Sequence, residues 1–235
     1  MGIVNLTPDS FWEASRAMTL RAVKLRVADL KRRGCSIIDF GAVSTRPGAA
    51  QVGVDDEWQR LEPVLASLDR LGIPSLSIDT TCAEIVRRSY GIIGPFIVND
   101  ISAGEDDPQM LSTVAELGLP YIAMHKRGNP RSMDSLTDYP QGIVAAVDEY
   151  FEAFAEKADR AGIRDWILDP GFGFAKTAEQ NWELLENLPA LRRFGRPILA
   201  GVADKRFTRT PNPFSNIQNA ERLAGERGAD ILRIH

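Results

Sequence analysis

The sequence predicts an α/β fold, a (β/α)8 TIM barrel, on three observations. Short apolar runs alternate with longer amphipathic stretches along the chain, the pattern of βα units on a parallel sheet. The 235 residues come close to the ~250 typical of one eight-fold barrel. Polar residues recur at or just after the ends of the apolar runs, where a barrel gathers its strand ends into one mouth. No internal repeat or low-complexity linker breaks the pattern, so one domain over residues 1–235 is expected.

Strands are expected at Gly2–Leu6, Ser36–Gly41, Leu76–Asp79, Phe96–Ile101, Tyr121–His125, Trp166–Asp169, Ile198–Val202 and Ile231–His235. Helices are expected near 19–33, 54–71, 82–90, 108–117, 140–161, 179–194 and 215–227. Gly34 and Gly72 suit the left-handed residue that closes the first two helices. Runs such as Tyr121-Ile122-Ala123-Met124 are apolar throughout, as in parallel strands buried on both faces. The sequence stops on the eighth strand, so no eighth helix is expected within it, and the connection over 206–215 is compact.

Composition narrows the partners. A net charge of −4 provides no broad basic surface, which argues against a nucleic-acid partner. An anion must therefore be held locally by a few converging cations. No apolar run approaches the ~18 residues of a membrane span, and Met1-Gly2-Ile3-Val4 does not read as a secretory leader. Cys35 and Cys82 lie far apart without metal-ligand spacing, so they read as free thiols in a reducing cytoplasm.

The polar residues at the run ends are Asn5, Asp39, Asp79, Asn99, His125, Asp169, Lys205 and His235. Each could merely cap a strand; eight in register point to a shared mouth. Asn5, before a Pro-Asp-Ser turn, suits a hard cation, a phosphate or simply the turn. Ser44-Thr45-Arg46-Pro47-Gly48 places two hydroxyls beside a guanidinium, a combination suited to phosphate oxygens. Asp79 and Asn99, on neighbouring strands, offer the acceptors and donor that an amino-pyrimidinone edge requires. Buried without a ligand or water, such groups would be costly.

Asp169-Pro170-Gly171-Phe172-Gly173-Phe174-Ala175-Lys176-Thr177 is the most informative stretch. Its glycines let backbone approach a flat ligand, and its two phenylalanines read as exposed. Thr177 and Gln180 form a capping-box pattern that opens the next helix. Lys205 supplies a point cation. Arg233 and His235, two residues apart on one strand face, suit an aromatic ring and a diphosphate.

The blocks N-L-T-P-D-S-F, S-T-R-P-G-A, S-I-D-T, N-D-I, M-H, L-D-P-G-F-G-F-x-K-T and R-I-H occur in this order across nearly the whole chain. Together they resemble dihydropteroate synthase, of the pterin-binding barrel group. The resemblance implies condensation of 6-hydroxymethyl-7,8-dihydropterin diphosphate with 4-aminobenzoate in folate biosynthesis, by a homodimeric transferase that sulfonamides target. It implies that Asp79, Asn99, Met124, Asp169, Lys205 and Arg233 hold the pterin, with Asp79, Asp169 and Lys205 as the catalytic set. Asn5, Arg46, Arg233 and His235 would meet the diphosphate, with Mg2+ near Asn5. Thr45, Pro47, Phe174 and Lys205 would form the aminobenzoate pocket.

Departures from the family pattern matter. Ala203-Asp204-Lys205-Arg206 stands where the family usually reads Ser-Arg-Lys-Ser. Arg206 is expected to replace the last serine as a donor to the aminobenzoate carboxylate, while Asp204 brings a negative charge near an anionic site. Trp12-Glu13-Ala14-Ser15 replaces a glycine-rich first loop, which should stiffen it. Two alternatives follow: a pterin-binding paralogue that transfers poorly, and a methyltetrahydrofolate-dependent methyltransferase. The latter shares the barrel and the acid–amide clamp but needs no diphosphate site.

Overall fold

The computed structural model describes residues 1–7, 16–43, 52–68, 72–129, 132–203, 205–209 and 217–235. Eight strands form in the expected order: β1 Gly2–Asn5, β2 Ile37–Gly41, β3 Ser75–Asp79, β4 Ile97–Asp100, β5 Tyr121–Met124, β6 Trp166–Asp169, β7 Leu199–Ala200 and β8 Ile231–Leu232. Between them run α1 Arg16–Arg32, α2 Val54–Leu65, α3 Ala83–Ile93, α4 Met110–Leu117, α5 Ile143–Ala161, α6 Ala178–Glu186 and α7 Ile217–Glu226.

Strands β1 to β6 pair in sequence order, all parallel, and β7 pairs with β8. Two parallel bridges complete the ring: Leu168 with Ile198 joins β6 to β7, and Gly2 with Ile234 joins β8 to β1. Backbone hydrogen bonds support the second seam, from Ile3 N–H to Ile234 O at 3.0 Å and from Ile234 N–H to Met1 O at 2.9 Å. The sheet is therefore a closed barrel.

Side chains alternate along each strand, and the alternation builds two cores. Outward residues, among them Val4, Phe40, Ile78, Val98, Tyr121, Leu168 and Ile198, pack with the helices in the main buried cluster. Inward residues Met1, Ile122 and Leu199 form a second cluster, against which Ile37, Ile97, Ile167 and Ile231 pack. The four isoleucines come one each from β2, β4, β6 and β8. Such a layer, drawn from alternate strands, is how a small barrel fills its interior. It plugs the floor.

The helix boundaries show where local chemistry overrode periodicity. The helix expected over 54–71 ends at Leu65, two residues past Pro63, and residues 69–71 lie outside the described residues. Ala66 and Ser67 N–H close the turn on Glu62 and Val64 carbonyls. The helix expected over 179–194 is two elements, α6 and a 3-10 turn over Leu188–Phe194, with Pro189 at the start of the second. The helix expected from 140 begins at Ile143, since Gly142 stands at φ 86° and caps it instead. Helix α3 runs past the expected residue 90 to Ile93, where Gly94 at φ 69° stops it. Strands β7 and β8 are shorter than expected; beyond their two paired residues only the bridges at Ile198 and Ile234 continue them.

Candidate functional site

The site begins two residues above the isoleucine layer. On the same four strands, the next inward residues are Asp39, Asn99, Asp169 and Arg233, a polar layer directly above an apolar one. Neighbouring strands confirm the common face, since Asp39 stands in register with Ile3 and Ser77, and Asn99 with Asp79 and Ile122. At the mouth, the odd strands contribute Asn5, Asp79, Met124 and the loop residue Gly201. Gly41 and Gly201 leave room there. A Cβ on Gly41 would meet Asp79 at 3.4 Å, and one on Gly201 would meet Arg233 at 3.9 Å.

Arg233 organises the layer. Its Nε and one Nη donate to Asp39 Oδ2 at 2.9 and 2.7 Å, and the same Nη donates to Asp79 Oδ2 at 2.7 Å. Asn99 Nδ2 donates to Asp39 Oδ2 at 3.1 Å. Asp39 is fully buried, and its other carboxylate oxygen has no hydrogen-bond partner. Burial works against the charge on Arg233, but Asp39 and Asp79 outweigh it and hold the guanidinium charged. Burial also raises the Asp79 carboxyl to about 7, with Arg233 opposing and Asp39 and Glu57 reinforcing the rise. Two carboxylates around one cation leave one negative charge in excess, and Asp79, the outer of the two, is the one pushed toward the protonated form.

Asp169 ends β6 on the opposite wall. It is 7% exposed and accepts the Gly171 N–H at 2.8 Å. Burial raises its pKa, while that N–H and the charges of Lys205, Arg233 and Lys176 pull it down. Its electrostatic neighbours include both Arg233 and Lys205, so the four residues Asp79, Asn99, Asp169 and Lys205 converge on one interior. Lys205 Nζ lies 4.8 Å from the centre of the Phe174 ring, a cation–π contact across the mouth. A Cβ on Gly173 would meet Lys205 Cδ at 3.1 Å, so a glycine there gives the lysine its path.

The family model described as "Pterin binding enzyme" matches residues 1–235. The chain belongs to the pterin-binding enzyme family. It is 40% identical over 247 residues to the dihydropteroate synthase of Synechocystis sp., covering 100% of this chain and 84% of that relative. The solved Xanthomonas albilineans dihydropteroate synthase with 4-aminobenzoic acid is 35% identical with a TM-score of 0.86, over 100% of this chain and 86% of the other. The same enzyme in complex with 7,8-dihydropteroate is 33% identical with a TM-score of 0.83, over 100% and 86%.

Within this pterin-binding enzyme, the expected site residues fare unequally. Asn5, Asp79, Asn99, Met124, Asp169 and Arg233 all face the barrel interior, and Lys205 and Phe174 meet at its rim. Thr45, Arg46 and Pro47 lie outside the described residues, as does Asp204. His235 is exposed at the end of the chain, where its carbonyl accepts from Arg33 at 2.6 Å. Arg206 is pulled outward: its guanidinium donates to Asp134 at 2.6 Å and its side chain is 73% exposed. The two phenylalanines expected to be exposed are not. Phe172 is 1% exposed, its ring 6.2 Å from that of Phe207, and Phe174 is half-buried. The turn at Gly171 sends the first ring back into the shell behind the barrel. The capping box of Thr177 and Gln180 forms as expected.

Two residues escaped the sequence reading. Asp39 stood among the strand-end polar residues but received no role; its spacing from Ile37 matches that of Asn99 from Ile97 and Asp169 from Ile167, which was the available signal. Lys176 stood within the L-D-P-G-F-G-F-x-K-T block but received no role, yet it is 9% exposed and fully engaged. Its burial follows from the loop's path, which composition does not encode. Among the described residues no cluster of three His, Cys, Asp or Glu could hold a metal ion, and no helix is long and apolar enough to cross a membrane.

The Asp79 shift has a thermodynamic consequence with a definite sign. Between pH 3.8 and about 7 the folded protein keeps a proton there that the unfolded chain releases, so stability falls as pH rises through that window. Urea unfolding at pH 5 and at pH 8 should show the wild type losing stability relative to Asp79→Asn as pH increases. A pH-independent difference between the two would contradict the assignment.

Proposed function

We propose that this chain condenses 6-hydroxymethyl-7,8-dihydropterin diphosphate with 4-aminobenzoate, releasing diphosphate and forming 7,8-dihydropteroate. The observation that carries the reading is the polar layer of Asp39, Asn99, Asp169 and Arg233 with Asp79 above it. Its acids and amide offer acceptors and a donor to an amino-pyrimidinone edge, and Arg233 provides a flat cation to stack on the ring. The Xanthomonas albilineans relative was solved with 4-aminobenzoic acid and with 7,8-dihydropteroate, here the second substrate and the product.

The residues suggest how the reaction proceeds. The bond between the pterin methylene carbon and the diphosphate oxygen breaks, leaving a cation delocalised into the ring. Asp79 and Asp169 stabilise that charge from a buried setting where such interactions are strong. The aniline nitrogen of 4-aminobenzoate attacks the methylene carbon and then loses a proton, so no strong general base is needed. Phe174 and Lys205 wall the aminobenzoate ring, with Thr45 and Pro47 completing the pocket. Arg46, Arg233 and His235 take the departing diphosphate.

Asn5 is the residue that would hold Mg2+. Its amide oxygen is a hard donor placed half-buried at the mouth, and one protein ligand suffices when substrate phosphates and water supply the rest. Bound there, Mg2+ would offset charge on the leaving group. We extend the proposal to a cytoplasmic homodimer forming one pterin-binding barrel per chain; light scattering at about twice the chain mass would support the dimer.

A coupled assay with pterin diphosphate and 4-aminobenzoate tests the function directly. Asp169→Asn should lower turnover by about a hundredfold or more, the scale of losing a key electrostatic stabiliser; near-normal turnover would refute its role. The Asp134–Arg206 pair is exposed and contributes at most about 1 kcal/mol, so a substrate carboxylate can displace Asp134. Arg206→Ala should therefore raise the KM for 4-aminobenzoate roughly three- to tenfold with little change in kcat. An unchanged KM removes Arg206 from the pocket. The poorly transferring paralogue, suggested by Ala203-Asp204, would bind pterin and diphosphate with Mg2+ in calorimetry yet form no product.

A further inference from the structure

Lys176 is a buried lysine that the reaction above does not use, and its surroundings are specific. Its Nζ lies 2.9 Å from the Gly171 carbonyl, 3.0 Å from the Phe174 carbonyl and 3.0 Å from His125 Nδ1. Burial lowers its pKa to about 7, with the Asp169 charge opposing the fall, and three polar partners surround Nζ. His125 is itself 3% exposed, its ring edge-on to Tyr150 at 4.9 Å. Burial, then the Lys176 charge, lowers its pKa well below 6.5 and keeps the ring neutral. A neutral ring that accepts at Nδ1 carries its proton on Nε2.

The loop that Lys176 grips holds three left-handed residues in five: Gly171 at φ 70°, Gly173 at φ 80° and Ala175 at φ 50°. Ala175 lacks glycine's freedom and pays roughly 1 kcal/mol or more for this conformation. A Cβ on Gly171 would fall 2.0 Å from the His125 carbonyl, so the loop is pressed against the end of β5. The two carbonyls turn inward to Nζ. Phe174 then presents its ring face toward Lys205. Asn181 accepts the Gly173 N–H at 2.7 Å and Tyr139 donates to the Ala175 carbonyl at 2.9 Å, but Lys176 is the hub that ties this loop to β5.

We propose that Lys176, seated on His125, is a positioning residue that presets the Phe174–Lys205 wall and so governs affinity for the second, aromatic amine substrate. The proposal rests on the function argued above and goes beyond it. It makes an asymmetric claim. Asp79 and Asn99 lie on other strands, and Asp169 shares with this hub only Gly171 and the field of the Lys176 charge, so loss of the His125 seat should leave pterin binding nearly intact. The Phe174 carbonyl and ring belong to one residue, so losing its grip frees the aminobenzoate wall.

The test measures KM for each substrate with wild type, Lys176→Met, His125→Leu and His125→Gln. His125→Leu should raise the 4-aminobenzoate KM at least about tenfold, with the pterin diphosphate KM within about twofold; Lys176→Met, which also removes a charge near Asp169, should raise the 4-aminobenzoate KM by the larger factor. His125→Gln keeps an acceptor oxygen for the ammonium and should stay near wild type. An equal rise in both KM values, no rise in either, or His125→Gln matching His125→Leu would overturn the proposal. Should Lys176→Met fail to fold, the His125 pair decides it. Should wild type lack synthase turnover, the functional reading fails instead, and amide exchange still judges the positioning: faster exchange confined to residues 171–175 in His125→Leu supports it, and unchanged exchange sinks it.

Discussion

Everything in this barrel's upper half depends on one arginine being shared by a buried carboxylate and a half-buried one. Arg233 comes from the eighth strand, Asp39 and Asp79 from the second and third, and their contact crosses the seam where the barrel closes. A charge of either sign alone at this depth would cost several kcal/mol. The cluster is tolerable because a fully buried carboxylate oxygen accepts from a guanidinium twice and from Asn99 once. The same contacts fix where each strand end points, so closure of the fold and alignment of the polar layer are one event.

The layering explains why the sequence was legible to the extent it was. Period-two alternation places Ile37 and Asp39, Ile97 and Asn99, Ile167 and Asp169, and Ile231 and Arg233 in the same relation on four strands. A reader of the chain sees apolar runs that end on a polar residue, which suffices for the barrel and its mouth. What the alternation does not encode is pairing between strands. Asp39 therefore looked like any strand-end acid, although it is the one that both Arg233 and Asn99 touch. Proline and glycine set helix ends by deleting an N–H or by left-handed backbone, as at Pro189 and Gly142, and periodicity is blind to both.

Loops were harder, for a different reason. In the stretch after β6 the composition suggested open backbone and exposed rings. The actual path, with three left-handed residues, folds Phe172 inward and brings Lys176 under the loop. A lysine's length lets it reach two carbonyls of its own loop and His125, which is distant in sequence, and no local pattern announces that. Arg206 shows the converse. Its residue type and position suited a substrate carboxylate, but the structure gives it a protein carboxylate, Asp134, at an exposed rim where the pairing is weak.

The interior's charges suggest how such a site can be stable when empty and still responsive. Asp39, Asp79 and Asp169 stand against Arg233 and Lys205, with the Lys176 charge adding its field at Asp169. Asp79 is where the balance is softest, since burial and its neighbours raise its pKa to about 7 and it keeps 16% of its side chain exposed. A ligand bringing N–H donors to Asp79 favours its charged form, and an anion arriving at Arg233 weakens the grip of Arg233 on the same carboxylate. A substrate carrying both features thus supplies two compensating interactions for the one ion pair it disturbs. Asp39, held by two bonds from Arg233 and one from Asn99, stays as the fixed point about which the rest adjusts.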